Sequence, residues 1–166
     1  IFRSVRFGAS SAHGRANMLR FNYFREQEAF TKDEATGVYR ADFEKMQEAA
    51  ALLMQYRFFF PFCKSNSDAK TMECQLYRSE WQWNLQEKTA VYHIAANRFL
   101  RGMVRLIVGM CLNVGTGKLS IETLARSLDE QQLLQPSTSA PPQGLALTEV
   151  RYPYLKQENG LFRLVS

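Results

Sequence analysis

Between Arg98 and Asn113, Phe99, Leu100, Met103, Val104, Leu106, Ile107 and Val108 cover most of the surface of a helix, and Gly115 and Gly117 end it. A helix apolar on nearly every side cannot lie on a surface. It has to sit in the core, and the rest of the chain has to be arranged around it. Arg98, Arg101 and Arg105 are spaced i, i+3, i+7, which predicts one stripe on that helix. Arg105 stands within the apolar run and is not expected to be fully solvated. A guanidinium stays charged, so a buried one needs an acceptor. Two explanations fit the pattern: Arg105 pairs with a carboxylate or phosphate in a cleft, or it makes a structural salt bridge or snorkels to water. Few acidic residues stand near it in sequence, and a partner from outside this chain would satisfy it.

The remaining segments supply the layers around such a helix. Asn17 to Phe24 alternates loosely and predicts a strand, while Glu26 to Gly37 reads as a polar loop. Asp42 can cap a helix over residues 43–55, with Phe43, Met46, Ala50 and Leu53 at helical spacing. Aromatic residues crowd Tyr56 to Phe62, which suits either core or an interface. Glu73 to Asn84 and Lys88 to Ala95 predict two strands joined as a hairpin through Leu85 to Glu87, with Ala90, Tyr92 and Ile94 on one face. Ser120 caps a shorter helix that turns Ile121, Leu124, Ala125 and Leu128 inward. Gln131 to Gln143 is rich in Gln, Ser and Pro and predicts a flexible loop. Leu145 to Tyr152 is a late strand, and the residues through Ser166 have room for one more. The order predicts an α+β fold, a mainly antiparallel sheet with helices packed on one face, in a single domain over residues 1–166.

Composition narrows the function classes. A chain of 166 residues with 46% hydrophobic and 22% charged side chains can bury one real core. No apolar run reaches the length of a membrane span, the longest being broken by Arg105, and no signal peptide is expected. The net charge of +5 permits an anionic partner such as RNA without requiring one. Cys63, Cys74 and Cys111 are odd in number and far apart, as reduced cytoplasmic thiols would be. His13 and His93 are too few for a histidine-based metal site, so no metal is expected.

Ordered motifs carry a resemblance. Asn97-Arg98-Phe99-Leu100-Arg101-Gly102-Met103-Val104-Arg105-Leu106-Ile107-Val108-Gly109 resembles the N-x-F-L-x-x-M-V-R-x-I-V-G motif of the bacterial tRNA pseudouridine synthase A family. Val114 to Leu119 resembles the family's V-G-x-G-K-L turn, and Ser139 to Leu145 its T-A-P-P-x-G-L loop. Thr71 to Trp81 is similar to its strand ending in A-E-W, here Ser79-Glu80-Trp81. Met46 to Lys64 is similar to its helix and the aromatic segment ending F-C-K. The matches keep their order across residues 41–153.

The resemblance implies isomerisation of uridine to pseudouridine in the anticodon arm of tRNA, with no metal or organic cofactor. A catalytic aspartate acts as nucleophile, and the uridine leaves its stack to reach it. Arg105 matches the catalytic arginine, whose role would be to pair with that aspartate and keep it ionised. Leu145 matches the apolar residue beside the target base. Asn97 and Phe99 match positions that shape the pocket, and Arg98 and Arg101 are candidates for RNA contact, with solvated surface arginines as the alternative. The resemblance also implies a cytoplasmic homodimer with tRNA as partner.

The chain departs from the family at three places. The G-R-T-D-x-G-V-H-A motif that carries the aspartate does not occur. By the family's layout it would precede Ile1, so the aspartate-bearing domain is expected to lie outside this chain, and this chain alone is expected to be inactive. Phe7-Gly8-Ala9 is followed by Arg15-Ala16-Asn17, which puts Asn17 where an active-site tyrosine is expected; Tyr23 comes later than that position. Arg57-Phe58-Phe59 replaces H-D-F. Two other functions stay open on these grounds: a non-catalytic RNA-binding relative, and a structural dimerisation module.

Overall fold

The computed structural model describes residues 18–26, 41–64, 69–84, 89–153, 155–158 and 161–164. The first strand, β1, is Met18–Glu26. Asp42 caps α1 (Phe43–Leu52) as its side chain accepts from the Lys45 backbone N–H at 3.1 Å, and a 3-10 turn over Leu53–Gln55 extends it. Then come β2 (Leu76–Asn84), β3 (Thr89–Ala96) and α2 (Met103–Gly115). Ser120 caps α3 (Ile121–Glu130), accepting from the Thr123 N–H at 3.1 Å. β4 (Leu145–Arg151) follows, and β5 (Leu155–Glu158) and β6 (Leu161–Leu164) pair as a separate hairpin where one further strand is expected. Leu85 to Glu87, read as the hairpin link, and Lys88, read as the start of the next strand, lie outside the described residues, as do Asn17 and the segment from 27 to 40.

The main sheet has the order β2-β3-β1-β4, antiparallel throughout. Its register lines up Trp81, Tyr92, Tyr23 and Leu145 in one row across all four strands. The first three are buried and Leu145 is half-buried. Ala90, Tyr92 and Ile94 share the inward face, as period-two spacing predicts. On the same face the Ser79 hydroxyl donates to the Ala50 carbonyl at 2.7 Å, so Tyr92 donates to Ser79 at 2.6 Å. Buried hydroxyls at the α1–sheet contact are thereby satisfied. The other face is polar. His93 lies between Asn22 Oδ1 and Gln82 Oε1, both at 2.8 Å, and Arg20 pairs with Glu149 at 3.0 Å.

One core holds Met46, Ala49 and Leu53 of α1, Ile107, Cys111 and Val114 of α2, and Leu124 and Leu128 of α3, against the sheet. The Tyr56 to Phe62 segment divides by side. Phe59 and Phe62 are core, whereas Phe58 and Phe60 are 51% and 37% exposed. No helix among the described residues is long and apolar enough to cross a membrane.

Two sequence expectations are corrected. The helix expected from Arg98 begins at Met103, because Gly102 takes φ +75° and cannot continue a right-handed turn. Arg98 and Arg101 therefore precede α2, and the three arginines do not form one helical stripe. The expected loop from Gln131 to Gln143 does lack regular structure for most of its length, but it is tied down. The Gln131 side chain donates to the Phe58 and Leu128 carbonyls, and Leu134 and Ala140 are buried.

Candidate active site around Arg105

Arg105 lies in the first turn of α2 and is half-buried. Its Nε donates to the Ala140 carbonyl at 2.6 Å, and the Ala140 N–H donates back to the Arg105 carbonyl at 3.0 Å. The next carbonyl along, that of Pro141, accepts from the Tyr23 hydroxyl at 2.9 Å. Adjacent carbonyls thus hold Arg105 from α2 and Tyr23 from β1. Leu145 stands four residues further on, directly opposite Tyr23 in the β1–β4 register. Phe99 completes this side: its ring meets Phe21 edge-on, with centroids 5.3 Å apart, and Phe21 is two residues from Tyr23 on the same face.

The 134–141 segment acts as a strap along α2. Arg105, Gly109 and Asn113 recur at i, i+4, i+8 and so lie on one face of the helix. At Gly109 the strap's backbone presses on the helix: a Cβ there would stand 1.8 Å from the Thr138 carbonyl oxygen. The buried Asn113 amide donates to Thr138 Oγ1 at 3.1 Å and to the Pro136 carbonyl at 3.3 Å. Ser139, beside Ala140, keeps its hydroxyl oxygen buried without a hydrogen-bond partner among the described residues.

The other expected site residues separate from this cluster. Asn97 holds residue 75: its Oδ1 accepts from the Gln75 N–H at 2.8 Å, and its own N–H donates to the Gln75 carbonyl at 3.1 Å. Arg98 donates through Nη1 to the Thr71 and Glu73 carbonyls at 3.1 and 3.3 Å. Both side chains therefore fasten the chain ahead of β2. Arg101 is exposed, next to Gly102. Asn17, at the position where a tyrosine is expected, lies outside the described residues. Tyr23 is the tyrosine that the structure sets beside Leu145, and at 2% exposed it grips the strap. Its cue in the sequence is its place on the inward face of β1; sequence spacing from Phe7 hides that place.

Chemically, Nε of Arg105 is committed to the strap, and among the described residues the two terminal nitrogens of its fork have no hydrogen-bond partner, which leaves them to meet an anion. Among the described residues Arg105 forms no ion pair. A planar guanidinium suits this division, since a carboxylate or phosphate can take two parallel N–H bonds from it. No cluster of three His, Cys, Asp or Glu side chains able to hold a metal occurs among the described residues. Burial pushes the Cys111 thiol up to about 12 and raises that of Cys74 as well, which disfavours the nucleophilic thiolate at both.

Residues 49–153, which hold α2, the strap and Leu145, match the family model described as tRNA pseudouridine synthase. The chain belongs to that family. It is 45% identical to the tRNA pseudouridine synthase A of Bacteroides fragilis over 112 residues, 68% of this chain and 44% of that protein. It is 38% identical to that of Porphyromonas gingivalis over 149 residues, 87% and 59% of the two chains. Against that of Bacillus pumilus it is 34% identical over 127 residues, 76% and 51% of the two. The chain thus spans about half the length of the curated relatives it matches. Within the matched region lie Arg105, Gly109, Asn113 and the strap, so the geometry described above sits in the part of the chain that carries the family assignment.

Proposed function

We propose that this chain is the arginine-bearing half of a tRNA pseudouridine synthase, which isomerises uridine to pseudouridine in the anticodon arm. The observation that carries the reading is the posture of Arg105. It sits in the family-matching helix, half-buried, tied by Nε to the strap and with its fork left for an anion. In the proposed enzyme that anion is the carboxylate of the catalytic aspartate, supplied by a second domain. Pairing with the guanidinium keeps the carboxylate ionised and fixes its direction. Leu145, at the end of the aromatic row, offers an apolar wall to the flipped uracil, with Phe99 beyond it. Arg101 contributes a charge at the RNA backbone, and Asn97 and Arg98 keep the wall in place from behind. The RNA contacts offset the cost of unstacking the uridine. The assembly is a cytoplasmic homodimer, and this chain without the aspartate-bearing half is inactive.

The test joins this chain to the remaining part of the Bacteroides fragilis relative and measures pseudouridine in unmodified tRNA. The expected result is activity in the joined protein, none in this chain alone, and a loss of about 100- to 1000-fold on Arg105→Ala, the scale for removing one charge-stabilising group. A folded joined protein that binds tRNA but forms no pseudouridine favours a non-catalytic RNA-binding relative. One that neither binds nor reacts favours a structural module.

A further inference from the structure

The strap makes contacts that the chemistry of Arg105 does not itself require. Asn113 is eight residues from Arg105, at the far end of α2, and is one of the few buried polar side chains among the described residues. A buried amide there costs free energy unless it is bonded, and an apolar residue of similar size would pack without that cost. Asn113 instead spends both of its described hydrogen bonds on the strap, at Pro136 and Thr138. Between Asn113 and Arg105 the helix presents Gly109, whose missing side chain lets the Thr138 carbonyl come against the backbone. Two residues after Thr138 comes Ala140, the acceptor for Arg105 Nε. The helix face therefore works as a ruler. Asn113 fixes one end of the strap, Gly109 lets it lie flat, and the Ala140 carbonyl arrives at Arg105.

We propose that Asn113 is a positioning residue for Arg105, acting through the Pro136–Ala140 strap, with Gly109 providing the clearance the strap needs. The proposal deepens the reading of Arg105 given above and rests on it for its functional meaning. Its physical content is independent: an arginine side chain has several torsions to lose, and a carbonyl held in place removes them before any anion arrives. Without Asn113 the hydrogen bonds that anchor the strap near Arg105, among the described residues, are those of Ala140 and of Tyr23 on Pro141. Ala140 O then moves, and the Nε bond is made only part of the time.

This is tested on the chain as it stands by following the Arg105 side-chain Nε–H resonance by NMR and its exchange with solvent. In the unaltered protein that proton is expected to be shifted from the position of a free arginine and protected from exchange. Asn113→Ala is expected to return it toward the free position and speed its exchange about tenfold, while the amides of α1 and β2 stay protected. Thr138→Val removes only one of the two Asn113 contacts and is expected to give a smaller change of the same sign. It also serves if Asn113→Ala does not fold. An Arg105 Nε–H that keeps its shift and protection in a folded Asn113→Ala or Thr138→Val protein overturns the proposal. In the protein joined to its aspartate-bearing half, the same variants are expected to lower kcat with little change in KM for tRNA. If the NMR change appears but the joined parent is inactive, the positioning stands and the synthase reading fails. If the parent is active and the NMR is unmoved, the positioning fails alone.

Discussion

Two segments meet the same helix from different parts of the chain, one leading into it and one lying along it, and they use their polar groups in opposite ways. Residues 97–102 precede α2 and look functional in sequence, with three polar candidates, Asn97, Arg98 and Arg101, close together. The first two are spent on backbone groups at residues 71–75. Residues 134–141 look like a polar, proline-rich loop and prove to be the piece that touches Arg105. A side chain's chemistry does not say whether it meets a ligand or a neighbouring carbonyl. A guanidinium bonded to two peptide oxygens satisfies the same donors that a phosphate would.

The strap is the more sensitive of the two to a small change. Gly109→Ala places a methyl group where the Thr138 carbonyl is, so the strap lifts or the helix shifts. The expected cost is about 1–3 kcal/mol in chemical denaturation, the scale of overpacking a filled site. A Gly109→Ala protein as stable as its parent would mean that the strap does not lie against the helix, and the contrast between the segments would collapse.

Next in size is the split between two arginines three residues apart. Arg98→Ala is expected to destabilise the fold by about 0.5–1.5 kcal/mol, the net worth of a typical hydrogen bond, since water can replace the donor at the exposed Thr71 and Glu73 carbonyls. Arg101→Ala is expected to stay within about 0.5 kcal/mol, as an exposed surface change should. In tRNA binding the proposed function reverses the order: Arg101→Ala is expected to weaken affinity and reduce its salt dependence, whereas Arg98→Ala is expected to act mainly through stability. Equal effects of the two on both measurements would erase the division drawn here.

The smallest effect at neutral pH comes from the face of α2 buried in the core. The Cys111 thiol is pushed from its ordinary 9.0 up to about 12 by burial, which outweighs the opposing hydrogen bond involving Trp81. Burial also raises Tyr92 well above its ordinary range. In the unfolded chain the thiol ionises above about pH 9 while in the folded chain it stays protonated. The stabilisation is whole below pH 9 and is lost as pH rises toward 12. Cys111→Ala is expected to flatten that alkaline loss in denaturation measured from pH 8 to 11, leaving the strap untouched. An unchanged slope would show that α2 is less tightly enclosed on this side than on the strap side.

Much of the scaffold was legible because its signals are local. Asp42 and Ser120 cap the helices they precede, and alternation puts Ala90, Tyr92 and Ile94 on one face. The start of α2 is not legible in the sequence, because the apolar spacing of Phe99 and Leu100 continues smoothly across Gly102, whose left-handed conformation periodicity does not register. The strap is hidden for a different reason. Its order comes from contacts with residues some 25 to 35 positions away, at Asn113 and Arg105, and a window reading Gln, Ser and Pro sees only local preference. The same holds for Tyr23, which meets Pro141 across 118 residues of sequence. Arg105 itself was legible, since a charge inside an apolar helix is conspicuous wherever the helix begins.

The central claim is that Arg105 divides its guanidinium, Nε to the Ala140 carbonyl and the terminal fork to the catalytic carboxylate. Arg105→Lys in the joined enzyme tests this most directly, because lysine keeps the charge but offers a single ammonium in place of a fork. With pseudouridine formation as the readout, kcat is expected to fall at least about tenfold while tRNA binding holds, since one donor group cannot hold the strap and the carboxylate together. A lysine variant that works as well as the arginine would contradict the claim and reduce Arg105 to a positive charge in the cleft.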